Sequence, residues 1–413
     1  MSEIPMDDSQ LAEMERQLRL LMNIAAGDPP RHVSAEAVRR GVRRHRLTVN
    51  LAAAAAVVAF GGIGVAVAAQ NAGIGVMPAA RGLPAGVPPY YIIDSYAGHG
   101  PVVAVRATQG GALTGSVHCP AAKPADTVAS LAAAANETFY MVCQKTTGTQ
   151  PPDVLVSRIY RFRLSSSGRV TDLVPVRGGT FAGLSAKSIA VTPSGSEIAV
   201  SVHPGAQPYG TTRPEVIVID PATGGHRIWR GAPPTPGKVY FPAFELSLSA
   251  DGKELAFLSE PRCIDKKKFP SCKHLGGEEE LAVFHAGGGG RLATARVLVK
   301  QARLMRIDTG FINDAVLSPD GASVIVVEVG WPENTAVSIV TVSTATGRQS
   351  GVLYREASPN GGFSYGAFSA DPTRRWFLLD AGRSRGAVNG WIDHGKLVKL
   401  KPAVGGDLSF EVW

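Results

Sequence analysis

Charge is missing from a long early stretch of this chain: between Arg46 and Arg81 there is no Asp, Glu, Lys or Arg. Cysteine is also scarce, with four residues, Cys119, Cys143, Cys263 and Cys272, none of them in the first hundred. No Cys-x-x-Cys pair occurs, which argues against the short-spaced ladders of zinc ribbons and fingers. Aromatic residues make up 7% of the chain and no basic stripe is interleaved with them. Residues 70–413 carry 34 basic and 27 acidic side chains, so the formal excess on this long segment is small and nucleic acid is not an expected partner.

The chargeless stretch is filled by LAAAAAVVAFGGIGVAVAA at 51–69. As a helix these residues span about 28 Å, close to the roughly 30 Å of a bilayer core. Gly61, Gly62 and Gly64 weaken its middle, which a membrane helix tolerates. Arg39, Arg40, Arg43, Arg44 and Arg46 stand just before it, so the positive-inside rule keeps the N-terminus cytosolic and exports the chain beyond Ala69. The expectation is a single span over 47–69. A cleavable signal peptide is the rival reading, since Ala66-Val67-Ala68 has the small-x-small form of a cleavage site, although the apolar run exceeds a signal h-region of about 7–15 residues. A buried core helix is the third.

Four cysteines confined to the exported part suggest two disulfides in an oxidising compartment. Four allow three connectivities, and proximity favours Cys119 with Cys143 and Cys263 with Cys272. A zinc site using Cys263, Cys272 and His274 competes with the second bridge. No cofactor is called for by any pattern in the chain.

The arm, 1–46, opens acidic with Glu3, Asp7, Asp8, Glu13 and Glu15. Leu11, Met14, Leu18, Leu21 and Ala25 then recur on one helical face until Gly27-Asp28-Pro29-Pro30 stops it. A lone amphipathic helix is marginal in water, so residues 9–26 are a candidate contact for a cytosolic protein, against the plainer reading that they lie on the leaflet or fray. An acidic amphipathic helix, a Pro break, an Arg-rich helix and an Ala/Gly/Val-rich span resemble the cytosolic arms of membrane proteins that accompany extracytoplasmic-function sigma factors. That resemblance implies an anti-sigma-like role. The family's zinc signature, a His followed by Cys-x-x-Cys, is absent: the arm has His32 and His45 but no cysteine.

Residues 70–89, rich in Gly and Pro, read as a linker. Beyond them comes a repeat, consisting of an apolar strand, a tight polar turn and a second apolar strand. It reads SIAVTPSGSEIAVSV at 188–202, ELSLSADGKELAFLS at 245–259 and DAVLSPDGASVIVVE at 314–328, with weaker copies at 127–143 and 365–380. Aligned on Asn136, Ser194, Asp251, Asp320 and Asp371, the spacings are 58, 57, 69 and 51. Each copy precedes a second hairpin, and two hairpins make one four-stranded blade of a β-propeller. SADGKELAF and SPDGASVIV resemble the WD-repeat-like blades of TolB-type propellers, a resemblance that implies fold over 90–413 and says little of function. The fold class is therefore all-β, a six-bladed propeller with seven blades also possible. The stretch 90–118 supplies only three strands, and LSFEVW at 408–413 is a spare one, expected to close the ring beside 90–95.

The widest spacing holds EPRCIDKKKFPSCKHLGGEEE at 260–280. Insertions in repeat proteins mark binding faces, so Arg262, Lys266, Lys267, Lys268 and Lys273 are candidate binding residues; the bland reading is a solvated loop. Gly362-Phe363-Ser364-Tyr365-Gly366 matches the G-x-S-x-G elbow but precedes a blade rather than a helix, and is read as chance. His99, His118, His203, His226, His285 and His394 show no ligand spacing, so neither a catalytic set nor a metal site is assigned. The leading function is a membrane-anchored extracytoplasmic binding or sensing propeller with an unknown ligand or protein partner. A transmembrane regulator acting through the arm and a lactonase- or lyase-type propeller enzyme are the alternatives.

Overall fold

A computed structural model describes residues 83–412, apart from 98–99, 121–125, 148–153, 205–214, 232–237, 241–242, 260, 264–279, 301–309, 331–335, 358–362, 384–385 and 401–408. The arm, the proposed span and most of the linker lie outside the described residues, among which no helix is long and apolar enough to cross a membrane.

Among the described residues, strands assemble into six blades. Blade one joins β1 (Tyr90–Ala97), β2 (Gly100–Ala107) and β3 (Leu113–His118) to the last strand of the chain. Blade two is β4 (Thr127–Ala134), β5 (Thr138–Thr146), β6 (Val154–Leu164) and β7 (Val170–Ala182). Blade three is β8 (Leu184–Val191), β9 (Ile198–Pro204), β10 (Glu215–Asp220) and β11 (Gly225–Arg230). A short ribbon strand, β12 (Lys238–Tyr240), precedes blade four, which holds β13 (Phe244–Leu248) and β14 (Glu254–Ser259). After ribbon strand β15 (Pro261–Cys263) the same blade continues with β16 (Glu280–His285) and β18 (Arg296–Lys300), while β17 (Gly290–Arg291), between them in the chain, pairs with β11 in the sheet of blade three. Blade five is β19 (Gly310–Leu317), β20 (Ser323–Gly330), β21 (Ala336–Ser343) and β22 (Gln349–Ala357). Blade six is β23 (Phe363–Ala370), β24 (Phe377–Arg383), β25 (Gly386–Asp393) and β26 (Lys396–Lys399), after which β27 (Ser409–Val412) returns to blade one.

The predicted closure is formed: β27 pairs antiparallel with β1, with Asp94 opposite Ser409, Ile93 opposite Phe410 and Ile92 opposite Val412. It fills the inner position that a three-stranded blade one would leave open, so the two ends of the chain share a sheet.

Six apolar clusters, one at each junction between neighbouring blades, form the core. A blade wedged between two others is buried on both faces, which is why inner strands such as SVIVVEVG read as continuous apolar runs instead of alternating. At the junction of blades four and five, Val324, Val326 and Val340 meet Ala256, Leu258 and Leu281, whereas Ile325, Val327 and Ile339 face blade six. The outermost strand β7 is more than half exposed, because its outer edge meets solvent.

The hairpin turns obey the expected chemistry. Ser249 donates its hydroxyl to Asp251 at 2.7 Å, Asp251 accepts from the Lys253 amide at 3.0 Å, and Gly252 takes φ +71°. Ser318, Asp320 and Gly321 repeat the pattern. These hydrogen bonds hold the Asp251 and Asp320 carboxyls below the usual carboxylate range, the Lys253 amide leading for the first and the Ser318 hydroxyl for the second. Neighbouring blades are tied at the same end by Ala135 N–H to Pro193 O (2.7 Å) and Ala250 N–H to Pro319 O (2.8 Å). Buried serines add a second set: Ser188 Oγ accepts from Leu246 N–H at 3.0 Å, and Ser247 Oγ from Leu317 N–H at 2.9 Å.

The ring thus has a turn end, carrying the tight hairpins, and a linker end, where the longer connections run. The chain enters at the turn end. There Thr108 ties down Pro88 and Pro89 through its hydroxyl and amide, and Val87 is buried beside Tyr91 and Trp376, so 83–89 are part of the domain surface.

Candidate functional site

The predicted binding insertion leaves blade four after Ser259 and returns at Glu280, which are register partners at the linker end. Its first residues build a two-stranded ribbon with the connection from blade three: Lys238 opposite Cys263, Val239 opposite Arg262 and Tyr240 opposite Pro261. Arg262 therefore has a fixed backbone position on this ribbon. Lys266, Lys267, Lys268, Lys273 and Cys272 lie outside the described residues, as do the pairing of Cys263 with Cys272 and its zinc alternative with His274. The other expected bridge is formed: Cys119 and Cys143 are joined with a Cα–Cα distance of 5.8 Å, linking blade one to blade two.

Three groups at the linker end carry perturbed or networked chemistry. Gln144 donates to Ala186 O at 2.6 Å and Ser185 Oγ at 3.1 Å, while the Ser157 hydroxyl donates to Leu184 O at 2.7 Å, a satisfied network across the junction of blades two and three. His203, at the end of β9, is driven down to about 4, mainly by burial. Glu328 lies on the face of β20 turned to blade four; burial pushes its carboxyl up to about 7 against the opposing pull of Arg355, and its Oε1 is enclosed with no hydrogen-bond partner.

Ser364 sits inside β23, opposite Gly382 of the next strand, and the strand runs on to Ala370. The strand-to-helix turn of a nucleophile elbow is therefore not formed. The histidines that are described stand apart: His226 bonds Gly178 O at 2.8 Å, His285 meets Glu254 at 3.2 Å and His394 meets Asp393. Among the described residues no group of three or more His, Cys, Asp or Glu side chains clusters. His99 lies outside them.

A feature not anticipated from the sequence is a cleft of about 420 Å3 at the turn end, between blades two and three. Tyr140, Arg161 and Arg177 line it from blade two, and Ser196 and Asp220 from two turns of blade three. Tyr140 and Arg161 are register partners on β5 and β6. A signal was present in the strand VLVSRIYRFRL, where Arg158, Arg161 and Arg163 interrupt an apolar run.

No family model matches the chain, and no curated protein matches it. Solved structures do. The periplasmic gluconolactonase of Pseudomonas aeruginosa is 16% identical with TM-score 0.40, the alignment covering 77% of this chain and 98% of that one. A putative TolB from Agrobacterium tumefaciens is 12% identical with TM-score 0.37, over 65% and 77%. A prolyl endopeptidase is 14% identical with TM-score 0.37, over 73% of this chain, which spans only 37% of that enzyme. A lactonase, a putative TolB and a peptidase stand side by side among chains similar to this one, and the propeller assignment rests on the strand pairing itself.

Proposed function

We propose that this chain is a membrane-anchored extracytoplasmic module that binds or senses a ligand or protein at the linker end of its propeller, through the 260–280 insertion and without a catalytic step. The observation that carries the reading is the ribbon of β12 and β15, which holds the root of the insertion on paired backbone instead of leaving it as a free loop. Arg262 and the lysines up to Lys273 make the first part of this segment basic, suited to an acidic surface, while Glu278 to Glu280 close it. The Cys119–Cys143 bridge supports an oxidising compartment for the ring. On this reading the apolar 51–69 segment is the anchor, and residues 9–26 are left on the cytosolic side for a second protein.

A photo-crosslinking residue at Lys267 in intact cells, with the same residue at Thr346 on the turn end as control, tests this reading. A partner captured from Lys267 and lost on deletion of 264–271 is the expected result. Capture from Thr346 alone, or capture that survives the deletion, would show that the insertion is not the binding surface.

A further inference from the structure

The cleft between blades two and three combines features that a solvated seam does not need. Arg161 places its Nε where solvent does not reach it, and that atom has no hydrogen-bond partner. A buried guanidinium N–H without an acceptor is costly, and an anion held beside the accessible part of the same guanidinium would offset that cost through its charge. Arg177 reaches across the junction to donate to Ala222 O at 3.2 Å, and its stem lies against Gly224, so its guanidinium is fixed at the mouth. Tyr140 supplies a phenol kept neutral by burial, with Arg161 and Arg163 pulling the other way, and its hydroxyl abuts Gly195, where a side chain would collide with it. Pro175 and Pro221 give the cleft apolar walls.

Asp220 is the opposing charge. Its carboxylate is engaged by its own turn, accepting from Ala222 N–H at 2.9 Å, Thr223 N–H at 3.3 Å and the Thr223 hydroxyl at 2.8 Å. Glu197, next to the lining residue Ser196, is neutralised by Arg227 at 2.7 Å. Two guanidiniums and one carboxylate thus line the space. A monoanion suits that balance, whereas a phosphate dianion would meet Asp220 uncompensated.

We propose that this cleft is a binding site for a carboxylate-bearing ligand, held by the Arg161 and Arg177 guanidinium groups between apolar walls. The planar fork of arginine matches a carboxylate, and the volume lies within the range of small-ligand sites. The site is at the opposite end of the ring from the insertion and stands independently of the function proposed above.

The test uses the full chain and three probes monitored by ligand-observed NMR: the monocarboxylate butyrate, the peptide acetyl-Ala-Glu-Ala-amide, and inorganic phosphate. Saturable binding of either acid, weakened at least tenfold in Arg161→Gln and in Arg177→Gln but not in Arg169→Gln, is expected. Butyrate binding better than the peptide assigns a free organic acid as the source, and the reverse assigns an acidic side chain of a protein. Arg161→Lys keeps the charge without the fork and should retain an intermediate affinity, which separates ligand loss from misfolding. Binding of neither acid, equal binding by Arg161→Gln, or tighter binding of phosphate than of both acids would overturn the assignment.

Discussion

Replacing both Cys119 and Cys143 by alanine should lower the stability of the ring by a calculable amount. The bond spans a sequence separation of 24, so it closes a loop for which the chain-entropy relation gives about 3.5 kcal/mol at 25 °C. Both positions are almost fully buried, Cys119 at 4% and Cys143 at 7% exposure, among Val117, Phe139, Met141 and Tyr160, so the sulfurs also fill space that two methyl groups will not. At roughly 2.1 cal/mol/K of unfolding entropy per residue, a ring of about 330 residues should lose roughly 5 °C in melting temperature. Calorimetry on the oxidised protein, on the protein under reductant and on the double variant gives three values. The double variant and the reduced protein should both melt several degrees below the oxidised protein. A double variant melting within about 1 °C of the oxidised protein would show that the bond adds nothing to the ring. Free thiols at both positions in protein recovered from the exported side would remove the compartment argument as well.

The two perturbed groups at the linker end should give opposite pH responses. Glu328 has a folded value raised to about 7, so its contribution is complete below its unfolded value and is lost as pH rises through about 7; Glu328→Gln should abolish that loss, with a gain at pH 8 of roughly 1–2 kcal/mol after discounting for partial exposure. Identical urea midpoints for wild type and variant at pH 5 and pH 8 would refute this. His203, driven down to about 4, contributes above its unfolded value, and that contribution is lost as pH falls through about 4; His203→Phe should flatten the acid limb of the same titration. Two glycines at positive φ separate backbone strain from crowding. Gly183→Ala, at φ +68° with open space around it, should cost about 1 kcal/mol, whereas Gly347→Ala, whose new methyl collides with the Leu298 carbonyl, should cost about 3 kcal/mol or more; equal urea midpoints for the two would sink the distinction. Deleting 409–413 should expose the inner edge of β1, a loss read by size-exclusion chromatography as self-association; a fully monomeric, equally stable truncation would mean that β27 is dispensable.

The blades were legible because their turns are local. Ser249, Asp251 and Gly252 make their hydrogen bonds within a few residues of one another, so the residue types that bend the chain stand together in the sequence. The ring closure was legible for a different reason, a strand count that left 90–118 one short and 408–413 one over. The ribbon of β12 and β15 was not legible, since three residues carry no periodicity and the pairing joins two different connections. Nor was β17, two residues that leave blade four to lie parallel to β11 of blade three, with Gly290 opposite Trp229. The arginine cleft was hidden by register. β6 itself alternates, with Ile159 turned to blade three and Tyr160, Phe162 and Leu164 to blade one, but β7 slips against it between Arg158 and Tyr160 and again between Arg161 and Arg163, so the placing of Arg177 near Arg161 cannot be read from the two strands' alternation.

The same turns determine where the blades differ in length. The hairpins at one end are fixed by a side-chain acceptor and a residue with positive φ, and inserting even one residue breaks those bonds. The connections at the linker end carry no such condition, so much of the 69-residue spacing between Asp251 and Asp320 arises there, at 260–279 and 301–309, while the 286–295 connection that holds β17 adds to it at the turn end. At the turn end the cleft is made by side chains on the frame of the hairpins, those of Arg161, Arg177 and Ser196. The chain enters at that same end, at Pro88 and Pro89, so the cleft lies at the entry end of the ring, while the root of the insertion, Ser259 and Glu280, lies at the other. Ligands at the two proposed surfaces would not compete for space, and a substitution that empties one should leave the other's affinity unchanged unless the six junctions between blades transmit the difference.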